Sequence, residues 1–165
     1  MHGQEIKVKS KKPLLRKILI VHGPNLNLLG KREKNIYGVK SLQSINNELR
    51  EMAKAHNYET ISYQSNSEGK LISKIQNLSG KIAGLLINPA AYTHTSVALR
   101  DTLLSTDIPK IEVHLSNIYK RESFRHHSLI SDVVDGQVMG FGWMSYRLGL
   151  EALLHSISTR RVPSC

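Results

Sequence analysis

KILIVHGPNLNLLGKREKNIYGVK, residues 17–40, opens on a short apolar run and breaks at Gly23-Pro24 into a long polar loop. A bounded run such as KILIVH reads as a strand buried on both faces, as in a parallel sheet, and Gly-Pro ends it with a turn. The connection that follows, residues 23–40, is far longer than an ordinary strand-to-helix link, and long ordered loops in compact domains are usually functional.

Working outward, the chain alternates strand and helix signals. Ser41 is placed to cap a helix from 42 to about 56, in which Leu42, Ile45, Leu49 and Met52 recur at helical spacing. YETISYQS (58–65) alternates as a strand, and 68–78 reads as a second helix with Leu71, Ile72, Ile75 and Leu78 on one face. IAGLLIN (82–88) is a third buried strand, stopped by Pro89, and Thr95 or Ser96 caps a helix running through Leu104. IPKIEVH (108–114) and GQVMGFG (136–142) supply the fourth and fifth strands, and SYRLGLEALLHSI (145–157) the closing helix. Strict alternation predicts an α/β fold, a parallel sheet covered by helices on both faces. With five strands the leading order is the flavodoxin-like 2-1-3-4-5, a three-layer arrangement that places ligands at the carboxyl ends of the strands. Asn25 and Asn27 follow strand 1, Asn88 ends strand 3 and His114 ends strand 4, so three polar clusters converge on one crevice.

Composition narrows the function classes. The length of 165 residues predicts one domain, 17–165, behind a flexible basic extension at 1–16. No apolar run reaches the roughly 18 residues of a bilayer span, and the first residues lack a signal-peptide core. The one cysteine, Cys165, excludes an intrachain disulfide, and a reducing cytoplasm is the expected compartment. The net charge of +10 invites a nucleic-acid reading. However, the few aromatic residues do not interleave with the basic ones as stacking platforms. A basic tail plus an anion-handling site accounts for the charge, and neither a nucleic-acid nor a membrane partner is expected.

Chemistry concentrates in four places. GPNLNLLG lacks the glycine spacing of phosphate loops; its Asn25 and Asn27 either donate to a developing oxyanion or satisfy turn backbone. Tyr37 sits among Lys31, Arg32 and Lys34, cations that lower a phenol pKa and suit it to act as a general base; an exposed loop tyrosine is the plainer reading. In NPAAYTHTSVALRD, His94 precedes a helix start, where free N–H groups suit an anionic or hydroxylated ligand, while Thr93, Thr95 and Ser96 serve equally well as caps. Asp101 lies on the same helical face about 10 Å further along, too far for one site to use both unless a neighbouring subunit receives Asp101. In IEVHLSNIYKRESFRHH, Glu112 and His114 share one side of a strand, their Cα atoms about 7 Å apart. A carboxylate there can fix an imidazole's tautomer, and a buried Glu is costly without a partner. Arg121 and Arg125 add positive charge downstream. His126 and His127 form no metal-ligand pattern.

Taken together, GPNLNLLGKREKNIYG, YQSNSEGKLI, INPAAYTHTSVALRD and IEVHLSNIYKRESFRHHSLIS closely resemble the signature stretches of type II 3-dehydroquinate dehydratase, in order from about Lys17 to about Leu154. The resemblance implies dehydration of 3-dehydroquinate to 3-dehydroshikimate in the shikimate pathway or in quinate breakdown. It also implies a flavodoxin-like fold, no metal or organic cofactor, and trimers assembled into a homododecamer. By the same resemblance Tyr37 matches the base that takes a proton beside the ketone, and Arg32 the arginine that keeps it ionised. Asn25 matches the enolate stabiliser, acting through an ordered water. His114 matches the acid that protonates the departing hydroxyl, with Glu112 as its orienting partner. Asn88, Leu115 and Ser116 match the carboxylate-binding set, His94 and Arg125 contacts to ring hydroxyls, and Arg121 a basic neighbour. Asp101 matches an aspartate delivered to the adjacent subunit. The chain departs from the pattern at His22, where asparagine is common, at Ala90 in place of glycine, at Ser67 in place of histidine, and in the Trp143-Met144 pair.

Overall fold

The computed structural model describes residues 16–30 and 40–160. Five strands and four helices follow along them, in alternation except that no α-helix separates the last two strands: β1 Arg16–His22, α1 Leu42–Ala55, β2 Tyr58–Gln64, α2 Glu68–Leu78, β3 Gly84–Asn88, α3 Val97–Leu104, β4 Lys110–His114, β5 Gly136–Met139 and α4 Met144–Thr159. All strand pairs are parallel and the sheet order is β2-β1-β3-β4-β5, the expected arrangement.

The period of two along each strand sorts the core into two layers. Ile18, Ile20, Leu86, Ile111 and Val113 pack with Ile45, Leu49 and Ala53 of α1 and with Tyr146, Leu150, Leu153 and Ile157 of α4. Leu19, Val21, Leu85 and Ile87 face the other way, onto Leu71 and Ile75 of α2 and Leu99 and Leu103 of α3. Both faces are covered at the centre of the sheet, which is why β1 and β3 read as unbroken apolar runs rather than alternating ones. Gly149 lets α4 approach closely, since a Cβ there would lie 2.4 Å from Val113 Cγ1. Among the described residues no helix is long and apolar enough to cross a membrane.

Element ends moved for local reasons. β1 includes Arg16, paired with Tyr58, one residue before the expected start of the strand. β4 starts at Lys110 rather than 108 because Pro109 has no N–H for the ladder, although its carbonyl accepts from Leu85 at 2.9 Å. β5 ends at Met139, ahead of Gly140 at φ 93°. Of the proposed caps, Ser41 accepts from Ser44 N–H at 3.1 Å and Ser96, not Thr95, accepts from Leu99 N–H at 2.8 Å. Four 3-10 turns, at Leu26–Leu28, Ala90–His94, Ile118–Lys120 and Ser123–Arg125, were not anticipated, and all flank the carboxyl ends of β1, β3 and β4.

Candidate active site

The carboxyl ends of β1, β3 and β4 open into a cleft of about 310 Å³, of a size for a small-molecule ligand. Asn25, Asn88, His94, His114, Leu115, Ser116, Arg121 and Arg125, eight of the residues singled out in the sequence, line it. The strand ends are knitted beneath it: Gly23 N–H donates to Asn88 O at 2.7 Å and Ser65 N–H to His22 O at 3.1 Å. Gly23 is obligatory there, because an added Cβ would stand 2.3 Å from Pro89 O.

The centre of the cleft wall is the Glu112–His114 pair. His114 Nε2 lies 2.7 Å from Glu112 Oε1, and Glu112 is wholly buried. Glu112 is also the acceptor for the hydroxyl of Thr93, the hydroxyl of Ser128 at 3.1 Å from Oε2, and the amide of Gln137, its register partner on β5. Burial pushes the carboxyl pKa up. The hydrogen bond and charge of His114, with the Thr93 and Gln137 donors, outweigh this and hold it below its ordinary value. A carboxylate so caged accepts the Nε2 proton and leaves Nδ1 of His114 for the cleft. Thr93 therefore serves Glu112 rather than capping a helix. Sequence reasoning missed Ser128 and Gln137; the available signal was a polar residue in a short strand beside the one carrying Glu112.

Around this pair the structure sorts the remaining candidates. Asn25 takes a left-handed conformation, φ 66°, and its side chain makes no cap bond to the turn it precedes, so it is left for the cleft. Asn27 instead lies 3.4 Å from Gln64 and does not line the cleft. His94 ends a 3-10 turn three residues before α3 rather than abutting the helix. Its Nδ1 donates to His127 O at 2.7 Å, which leaves Nε2 as an acceptor, and burial lowers its pKa. Arg121 and Arg125 are half-buried, and Glu122 lies between them with Oε2 3.4 Å and 3.0 Å from their Nε atoms. Asp101 is exposed on α3 and does not line the cleft, as the spacing argument required. Tyr37, Arg32, Lys31 and Lys34 lie outside the described residues. Among the described residues no cluster of three or more His, Cys, Asp or Glu side chains is placed to hold a metal ion.

Behind Asn88, His22 is buried in the layer under α4, with Nδ1 2.7 Å from the Tyr146 hydroxyl and Nε2 2.9 Å from Asn46 Oδ1. Burial lowers its pKa from 6.5 to about 4. The folded chain thus binds fewer protons here than the unfolded chain between those values. The stability tied to neutral His22 is intact above about pH 6.5 and is lost as the pH falls toward 4, a change of about 3 kcal/mol. Urea unfolding at pH 7.5 and pH 4.5 should therefore show a steep acid loss that His22→Asn flattens.

The family model described as Dehydroquinase class II matches residues 16–154. A 3-dehydroquinate dehydratase of Acaryochloris marina is 56% identical over 143 residues, covering 87% of this chain and 96% of that protein. One of Gloeothece citriformis is 58% identical over 137 residues, 83% of this chain and 90% of that protein. Among solved structures, a type II dehydroquinase of Butyrivibrio crossotus superposes with a TM-score of 0.81 at 48% identity, covering 84% of this chain and 97% of that one.

Proposed function

The chain belongs to the class II dehydroquinases, and from that membership we propose how its residues remove water from 3-dehydroquinate to give 3-dehydroshikimate in the shikimate pathway. A C–H beside a ketone is weakly acidic, so a base must act while an oxyanion donor takes up the developing charge. Tyr37 is the base, kept ionised by Arg32, and Asn25 supports the enolate through an ordered water. Hydroxide is a poor leaving group, so His114 protonates it as it departs, while Glu112 fixes the orientation of the imidazole. Asn88 with Leu115 and Ser116 holds the substrate carboxylate, His94 and Arg125 contact ring hydroxyls, and Arg121 adds positive charge nearby. No metal or organic cofactor takes part in this reading.

The single observation that carries it is the 2.7 Å contact between His114 and a wholly buried Glu112 at the wall of a cleft lined by amides and arginines. The test is the conversion itself, followed as ultraviolet absorbance of the conjugated enone with purified protein and 3-dehydroquinate. Steady growth of the enone is the expected result, and its absence at high enzyme concentration contradicts the reading.

The assembly belongs to the same proposal: a homododecamer of trimers, in the cytoplasm, with Asp101 completing the neighbouring subunit's site. In support, Val97, Asp101 and Leu104 share one face of α3 by spacing, and both apolar side chains are exposed, at 58% and 65%. Leu104→Glu is expected to give a smaller species by light scattering and to lower kcat/KM along with it. A Leu104→Glu protein that is fully assembled and fully active would contradict this use of the face.

A further inference from the structure

Asn88 presents an amide to the cleft, and the two ends of an amide are chemical opposites. Only the N–H end can donate to a carboxylate. The structure fixes which end is free. Asn88 Oδ1 accepts from Ala90 N–H at 3.1 Å, with Ala90 itself held at φ 51°. On its other side the Asn88 side chain neighbours the Tyr146 hydroxyl, a group with no exposure to solvent, and lowers its pKa as a donor does. That hydroxyl has one proton, and it meets Nδ1 of the wholly buried His22 at 2.7 Å. Nε2 of His22 faces Asn46 Oδ1 on α1 at 2.9 Å, so Nε2 carries the ring proton and Nδ1 accepts.

The polarity of the chain is thereby set link by link. The Asn46 carbonyl selects the His22 tautomer, the tautomer makes Tyr146 a donor, and the Tyr146 oxygen is left with only lone pairs to offer its neighbour Asn88. Burial keeps His22 neutral near pH 7, so the order does not reverse. A rotated Asn88 amide would set its oxygen against a hydroxyl lone pair and its N–H₂ against Ala90 N–H. Neither His22 nor Tyr146 lines the cleft, and the elimination uses neither.

We propose that His22 and Tyr146 are positioning residues that lock the Asn88 amide with an N–H aimed at the substrate carboxylate. The inference rests on the carboxylate-binding role of Asn88 proposed above. It predicts a binding defect rather than a chemical one. An interaction kept equally in the ground and transition states raises KM when lost and leaves kcat in place.

The probe is quinate, the unreactive alcohol analogue that retains the carboxylate, titrated calorimetrically against the full-length protein. Tyr146→Phe, which removes one oxygen atom, should weaken quinate about tenfold, the scale of one hydrogen bond. KM for 3-dehydroquinate should rise in parallel, with kcat within about twofold. In an Asn88→Ala background the same Tyr146→Phe change should cost nothing further, since its effect passes through Asn88. Asn46→Ala, on the half-exposed face of α1, should weaken quinate in the same direction, and Asn46→Gln, which keeps a neutral amide acceptor for Nε2–H, should restore part of it. These two variants carry the test if Tyr146→Phe does not fold. Unchanged quinate affinity in folded Tyr146→Phe or Asn46→Ala overturns the inference. So does a loss that persists undiminished in Asn88→Ala, which would mark a merely structural role. A wild-type protein that converts substrate while the variants bind quinate normally refutes this inference alone; one that neither binds nor converts refutes the proposed function as well.

Discussion

Replacing His114 by asparagine is expected to lower kcat by about 10²–10⁴-fold, the range for loss of a positioned general acid, while the protein stays folded. Asparagine fills part of the imidazole's space and can still donate to Glu112. The change therefore removes proton transfer without leaving the buried carboxylate bare, since Thr93, Ser128 and Gln137 also remain. Because the lost interaction exists only as hydroxide departs, kcat and kcat/KM should fall together and KM should change little. Steady-state kinetics beside a circular dichroism spectrum and a melting curve separates this from unfolding. Turnover within tenfold of wild type in a folded His114→Asn protein would move the acid elsewhere.

Tyr37→Phe is expected to be comparably severe, a loss in kcat of about 10³-fold, because a phenyl ring cannot accept the proton. The cations beside it in sequence provide a second, independent readout. A phenol neighbouring Arg32 is ionised at lower pH than a free one. Arg32→Ala should therefore raise the pH at which kcat/KM climbs on its acid limb, with activity partly recovered in alkali. Near-normal turnover in Tyr37→Phe, or an acid limb unmoved in Arg32→Ala, would show that a different group takes the proton.

The sheet was legible because burial on both faces leaves an unmistakable trace: KILIVH and IAGLLIN are apolar without alternation, and each ends in a polar residue within two positions of a proline. The Glu112–His114 contact was legible for a related reason, since two residues along a strand return to the same face. What escaped was whatever depends on three-dimensional closure. Ser128 and Thr93 reach Glu112 from two different loops, and each looks locally like an ordinary cap or turn residue. Gln137 is informative only once β5 lies beside β4 in register with Glu112. His22 stood out only as a departure from the family pattern, and its partner Tyr146 sits on an apolar helix face and reads simply as core. The 3-10 turns escaped because a single i to i+3 turn has no hydrophobic period.

In the proposed reaction water leaves by proton transfers between side chains and substrate, with no covalent bond to the enzyme. The most direct test adds borohydride to the enzyme during turnover of 3-dehydroquinate and then measures residual activity and intact mass. An imine to a lysine would be reduced in place, leaving a heavier and inactive protein. An unchanged mass and retained activity are the expected result; a chain trapped with the carbon skeleton of the substrate attached would contradict the acid–base route.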